Sequence, residues 1–196
     1  MGTVSALLFT AFVVLVGCER IVELVISRRN AAWAFARGGV ESARGQLPWM
    51  IALHVGMLVG AVAEVWLLGR PFIPWLGWPM LAIALGCQFA RYTMVQALGR
   101  RWNTRVIVVP GMPPVAAGPY RWMRHPNYLV VAIEGVALPL VHAAWITAIA
   151  FTVLNAVLLL GFRIPAENRA LELGATAISG LRRDASADDR PGRRMT

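Results

Sequence analysis

The sequence predicts an all-α integral membrane protein of about five spanning helices, at the ~20 apolar residues each that hydrocarbon thickness requires. Three observations carry this. Of 196 residues, 58% are hydrophobic and only 15% are charged, where soluble domains carry roughly 25%. Mean hydropathy is +0.59. Long apolar runs alternate with short arginine-rich stretches. Such a chain is not an ordinary soluble globule, a disordered polymer or a disulfide-stapled secreted domain.

The first run covers residues 3–26. No basic residue precedes it, so it reads as a retained helix rather than a cleaved signal. Leu15-Val16-Gly17-Cys18 resembles a lipoprotein box, but the apolar helical pattern continues past Cys18. Ala6 stands where a myristoylation signal needs Ser or Thr. Arg20 and Glu23 are three residues apart and pair on one helix face; they read as a snorkelling cluster at the interface, the alternative being a role in a site. Residues 28–46 read as a polar loop. Residues 47–68 form the second run, with Trp49 and Trp66 as interfacial anchors. Residues 75–97 form the third, entered through Pro71 and Pro74.

A second basic stretch follows, with Arg100, Arg101, Arg105, Arg121 and Arg124. Residues 128–141 and 142–162 then read as a helical hairpin whose first arm is short. Beyond it lies an Arg-rich tail, helical to about residue 181 and disordered over 184–196. The organisation is one structural domain, with N-terminal membrane helices over 1–98 and a catalytic region over 99–183. The basic stretches after the first and third runs belong on the cytosolic side. That puts the N-terminus outside and the C-terminus inside.

The net charge of +9 comes entirely from arginine against ten acids, with no lysine. Cationic cytosolic loops account for it without a nucleic-acid partner. Cys18 and Cys87 both lie in apolar runs and imply neither a disulfide framework nor a metal site. His54 and Glu64 lie more than two turns apart on different faces of one helix, too far to act together. His54 reads as a hydrogen-bonded core residue, and His142 as interfacial at the hairpin bend.

Residues 106–128, VIVVPGMPPVAAGPYRWMRHPNY, differ from the rest. Their Pro and Gly content predicts ordered turns. Residues 106–109 read as a short strand. Gly118-Pro119-Tyr120 reads as a turn that lets backbone approach a ligand. His125-Pro126 reads as a helix start with Pro at the first position, and that helix end suits an anion. Asn127 and Glu134, seven residues apart, share a helix face. A carboxylate in an apolar arm is a site candidate by default, the alternative being an Arg-paired structural group. Arg163 and Glu167 sit four apart at the end of the last run. No dinucleotide fingerprint, Walker loop, zincin motif or nucleophile elbow is present.

The GPYRWMRHPNY segment, an apolar hairpin and Arg163-x-x-x-Glu167 together resemble the isoprenylcysteine carboxyl methyltransferase family, over roughly residues 101–173. The resemblance implies a membrane-embedded methyltransferase using S-adenosylmethionine. Its cytosolic cofactor pocket is formed by the C-terminal half, and a lipid acceptor enters sideways from the bilayer. It also implies that His125 and Tyr128 contact the cofactor and that Gly118, Pro119 and Tyr120 shape the pocket. Glu167 would hold the cofactor's polar end, and Arg163 would lie near the reacting groups. The chain departs from the family where Asn168 follows Glu167, since members often carry paired acids there. An HP-x-Y run also occurs in membrane reductases related to sterol reductases, which typically place Gly-Glu soon after the Tyr. Here Leu129, Val130 and Val131 follow instead. The RVIVVPG and RHPNY segments look most like bacterial members thought to methylate polyketide lipids.

Methyl transfer from a sulfonium suits these residues. The aromatic faces of Tyr120, Trp122 and Tyr128 stabilise such a cation. Asn127 and Glu134 are placed on the acceptor side. Glu134 is read as orienting a phenolic or enolic hydroxyl or taking its proton, because a phenol, with a pKa near 10, benefits from a base. An isoprenylcysteine-type carboxylate would need none. A nicotinamide-dependent membrane reductase and a non-enzymatic scaffold are the alternatives.

Overall fold

The structure is a computed structural model that describes residues 2–42, 45–113, 115–123, 125–166 and 169. It is built from five helices and a two-stranded antiparallel ribbon: α1 Gly2–Phe35, β1 Val40–Ser42, α2 Gln46–Leu67, α3 Pro74–Leu98, β2 Val106–Val108, α4 Pro126–Leu140 and α5 Trp145–Leu158. A π-turn, Leu159–Arg163, prolongs α5. Among the described residues two stretches are long and apolar enough to cross a membrane by length and composition, Gln46–Leu67 and Trp145–Ala166, and Pro126–Leu140 is a shorter apolar helix.

Helices consecutive in the chain run antiparallel. Trp66 Nε1 donates to Thr10 Oγ1 at 3.0 Å, setting the end of α2 beside the start of α1. Glu64 meets Thr147 at one end of the α2–α5 pair, and Gln46 meets Phe162 at the other. The bundle therefore has two ends. One holds residues 2–5, Arg70 and the α4–α5 bend. The other holds Phe35, the ribbon, the start of α4 and Arg163. The interior is closed by Phe9, Val13 and Val16 of α1 against Ala61, Val65 and Leu138, and by Cys87, Met94, Trp102 and Val130. Outward faces stay apolar, with Leu15, Phe89 and Leu160 exposed, as a hydrocarbon solvent permits.

Helix α1 continues nine residues beyond the expected run, to Phe35. Arg28 to Ala34 include two arginines and three alanines, good helix formers, and no Gly or Pro to stop the helix. The stop comes at Gly38, whose φ of +75° places it in the left-handed region. The extension is held by the segment after α3: Ser27 Oγ accepts from the Thr104 amide at 2.9 Å, and Asn30 Nδ2 donates to the Trp102 carbonyl at 2.7 Å. The expected strand over 106–109 appears as β2. Its partner β1 lies in the stretch read as a loop, with Val40 opposite Val108.

At the opposite end, Glu64 caps α5. Its carboxylate accepts from the amides of Ile146 at 3.1 Å and Thr147 at 2.8 Å, and from Arg70 Nε at 3.0 Å. These amides are orphan donors of a helix start, where a negative charge is favoured. His142 corrects the expectation of an interfacial side chain. It is buried between Phe9 and Phe72, with Nε2 3.1 Å from Ser5 Oγ, because the bend folds back over α1.

Candidate functional site

A cavity of about 710 Å³ opens between α1, α2, the ribbon and the start of α4. Its polar wall includes Tyr120, His125, Asn127, Tyr128 and Arg163; its apolar wall includes Val14, Gly17 and Ile21 of α1 and Ile51, Val55 and Leu58 of α2. Residues distant in sequence thus meet at one space.

The Gly118–Arg121 turn is a single 3-10 turn. Gly118 takes φ +55°, which L residues with a Cβ adopt at a cost. A Cβ there would lie 3.1 Å from Ala97. Pro119 has its own φ fixed by its ring, and the Tyr120 ring packs against the Cys87–Trp102 cluster. Trp122 turns outward and is 81% exposed, so it is not available to face a ligand in the cavity. His125 is the N-cap residue of α4, with Pro126 at the first helical position. One turn later the Tyr128 ring stacks on the His125 ring at 5.3 Å and 20°. The π-turn brings Arg163 to the same place: its Nε donates to Tyr128 Oη at 3.2 Å and its Nη2 to the Thr104 carbonyl at 2.7 Å. A π-turn adds a residue to a helical turn and re-aims the side chains beyond it, a distortion frequent at functional sites. Glu167 lies outside the described residues, as do residues 170–196, which include the expected tail.

Beneath this group lies a buried polar network. Glu134 Oε1 accepts from Arg20 Nη2 at 2.9 Å and Gln88 Nε2 at 2.8 Å, and Oε2 accepts from Arg91 Nη2 at 3.0 Å. Arg20 also reaches Glu23 at 2.8 Å and Gln88 Oε1 at 2.6 Å. Arg91 Nη1 reaches Asn127 Oδ1 at 3.3 Å and lies 3.6 Å from Glu23. Asn127 and Glu134 do share a face, since one guanidinium touches both.

Two expectations are corrected here. Arg20 and Glu23 do not snorkel at an interface; they point into the bundle, because α3 and α4 offer partners there. Glu134 is not placed as a base. It is only 2% exposed, its oxygens are occupied by three donors, and it is absent from the cavity wall. Gln88 and Arg91 were missed in the sequence, although two polar residues three apart in an apolar run are the same kind of signal that singled out Glu134.

The family model described as "Isoprenylcysteine carboxyl methyltransferase (ICMT) family" matches residues 80–173. The chain is 37% identical over 166 residues to the uncharacterized protein YpbQ of Bacillus subtilis, covering 84% of this chain and 97% of that one. The chain belongs to the isoprenylcysteine carboxyl methyltransferase family. Membership implies a membrane methyltransferase. The matched region contains α3 from residue 80, the turn, α4, α5 and the π-turn, and so most of the polar wall; α1 and α2 supply the apolar wall from outside it. Free Cys18 is exposed and free Cys87 is buried.

Proposed function

We propose that the protein is an integral-membrane, S-adenosylmethionine-dependent O-methyltransferase acting on a lipophilic acceptor that enters from the bilayer. The observation that carries this reading is a cavity lined by a polar His125–Tyr128–Arg163 wall on one side and apolar side chains of α1 and α2 on the other. A polar cofactor and a lipid must meet in one enclosed space, and this cavity has both linings. Its volume falls within the roughly 300–1,000 Å³ usual for small-molecule sites.

S-adenosylmethionine, when bound, supplies an electrophilic methyl group on a sulfonium. The residues present fit such a molecule: Tyr120 and Tyr128 offer ring faces to a cation, and Arg163 and His125 offer donors to a carboxylate. Gly118 and Pro119 hold the turn that presents Tyr120. Glu167 is assigned the cofactor's amino end on the family pattern. The transfer is an in-line displacement with no covalent enzyme intermediate. The protein's contribution is then orientation and exclusion of water, and positioning alone supplies up to ~7–11 kcal/mol in favourable cases. Arg163 sits between the Tyr128 hydroxyl and the Thr104 carbonyl, placed to orient the reacting oxygen. Of the two acceptor chemistries, an isoprenylcysteine-type carboxylate and a phenolic or enolic polyketide lipid, we take the second, on the resemblance of the RHPNY segment. Asn127 is assigned to the acceptor side. Glu134 acts from behind, holding Arg91 and Arg20.

We further propose five spanning helices with the ribbon end cytosolic in a bacterial inner membrane, and the catalytic region over 99–183. The arginines at positions 28, 29, 37, 100, 101, 105 and 121 gather at that end, which supports this orientation. The test is radiolabelled methyl transfer from S-adenosylmethionine into a lipid extract, with identification of the product. Titration of S-adenosylhomocysteine against His125→Ala and Tyr128→Ala runs beside it. Affinity falling about tenfold or more is expected when a contact worth ~1.5–3 kcal/mol is lost. Binding of NADPH with none of S-adenosylhomocysteine would overturn the reading.

A further inference from the structure

With Glu134 enclosed by its three donors, a phenolic or enolic acceptor still needs a group to take its proton. Among the described lining residues of the cavity, the side chains able to take one at neutral pH are Glu23, His54 and His125. Glu23 is engaged by Arg20 at 2.8 Å and lies 3.6 Å from Arg91. His125 stacks on Tyr128, at the end assigned to the cofactor. His54 stands elsewhere. It lies on α2 among Ile51, Val55 and Leu58, a polar residue set within the apolar wall.

The tautomer of His54 is fixed by its surroundings. Nδ1 lies 2.8 Å from the Met50 carbonyl, and a carbonyl only accepts, so Nδ1 carries the hydrogen. In the neutral ring Nε2 is then a bare lone pair. It has no hydrogen-bond partner among the described residues, and it is not one of the polar atoms sealed from any accessible surface, as Arg91 Nε and His142 Nδ1 are. The ring meets Phe151 edge to face at 5.5 Å and 81°. Phe151 shares a buried cluster with Val131, three residues past Tyr128 on α4. These contacts hold the ring's orientation and set it farther from the ribbon end than Tyr128. A nitrogen without a partner in an apolar wall forgoes the hydrogen bond that water would give it, and a ligand that donates to it restores that bond.

We infer that His54 is the general base of the reaction, and that the acceptor's reacting hydroxyl binds un-ionised, donating to Nε2. The inference rests on the methyltransferase reading and adds a base to it, so that the acceptor carries a phenolic or enolic hydroxyl. A carboxylate has no hydrogen to donate there. As the hydroxyl oxygen's electron pair forms the new O–CH₃ bond, its proton passes to Nε2, and the S–CH₃ bond breaks with its electrons remaining on sulfur. The imidazolium gives the proton to water when the product leaves. The charged groups that act on the ring are Arg91 of α3, Glu134 of α4 and Arg20 of α1. Together with Glu23 they make two cations and two anions, so the network carries no net charge to repel the imidazolium. The bond to Met50 persists in both protonation states, because Nδ1 keeps its hydrogen throughout, and the ring turns over without moving.

The experiment uses full-length protein in nanodiscs with S-adenosylmethionine and three acceptors: pentadecylresorcinol, a long-chain nitrophenol that is ionised near neutral pH, and a farnesylcysteine analogue. In His54→Asn the amide reaches the Met50 carbonyl as Nδ1 does, and the distal nitrogen is gone. His54→Gln, with a longer amide, is the second variant. Both should bind S-adenosylhomocysteine with wild-type affinity and lower kcat for pentadecylresorcinol about 10²–10⁴-fold, as loss of a general base does, with KM changed far less. The nitrophenol needs no base, and both variants should methylate it at close to the wild-type rate. Wild-type kcat for the resorcinol should rise with pH and level off above the histidine pKa, whereas in the variants the rise should continue toward the phenol pKa near 10. Equal losses on the resorcinol and the nitrophenol, or lost S-adenosylhomocysteine affinity in both variants, would make His54 structural and overturn the inference. So would variants with the wild-type rate and pH profile, or a wild type that binds S-adenosylhomocysteine without methylating the resorcinol. Absence of S-adenosylhomocysteine binding to the wild type would instead overturn the methyltransferase reading.

Discussion

Replacing Glu64 by alanine tests whether the end of the bundle far from the cavity is purely structural. The carboxylate accepts two backbone amides, the Thr147 hydroxyl and Arg70, and only 7% of the residue is exposed. Glu64→Ala leaves the amides of Ile146 and Thr147 without acceptors in an apolar setting. Each orphaned donor costs ~1–3 kcal/mol. The Thr147 hydroxyl can rotate to another acceptor, and Arg70, partly exposed, adds only ~0–1 kcal/mol. The sum is about 2–7 kcal/mol, which at ~2–4 °C per kcal/mol for a chain of this size lowers Tm by roughly 4–28 °C. Glu64→Gln keeps one carbonyl oxygen and should cost about half as much. Tryptophan fluorescence during heating of the detergent-solubilised protein reads the shift. Arg163 lies 18 residues past Trp145, roughly 27 Å along the helix at 1.5 Å per residue, so S-adenosylhomocysteine affinity well below the transition should not change. A Tm within about 1 °C of wild type would refute the cap's role, and lost affinity in a folded variant would refute the separation of the two ends.

Gly135→Ala should destabilise by ~1–3 kcal/mol, as overpacking does, because its Cβ would clash with the edge of the Phe151 ring; Gly135→Ala/Phe151→Leu should recover most of the loss, read by the same melting assay. In folded protein a lipid-permeant maleimide should label Cys18 and spare Cys87, and equal labelling would contradict the packing of α3. In a Cys18→Ser background, Arg37→Cys and Leu68→Cys should be labelled by an impermeant reagent from opposite sides of the membrane; labelling of both from one side would break the proposed topology.

Much of this fold is legible in the sequence because spans of apolar residues bounded by Pro, Gly and Arg leave little choice. α2 and α3 begin within a residue of their expected positions, and His125-Pro126 starts α4 as the proline's fixed φ requires. The β1–β2 ribbon is less legible. Val40, Glu41 and Ser42 show no strand pattern of their own, and only the partner 66 residues later makes them one. The extension of α1 is hidden because Arg28, Arg29 and Asn30 read as a loop by polarity, whereas Ser27 and Asn30 are anchors for the segment after α3. At the site, the motif residues His125 and Tyr128 are marked by local sequence. Arg91 carries a charge in an apolar run, the same signal as Glu134, but its role is set by partners from α1 and α4, and Glu134 changes meaning once those partners are visible.

The buried network also bears on how the chain is made. On the proposed topology, α1 enters the bilayer before α3 and α4 have been synthesised, so Arg20 must wait for Gln88 and Glu134. A single arginine at the centre of an inserting helix is penalised by about 2.5–3.5 kcal/mol on translocon scales. The Arg20–Glu23 contact at 2.8 Å lies within one helix, so α1 carries its own counter-charge through insertion and surrenders part of it only when Arg91 and Glu134 arrive. The same short-range pair that completes the finished network thus acts earlier as a travelling companion. A Glu23→Ala chain should therefore show its first deficit in membrane integration of nascent α1, before any loss in the assembled protein.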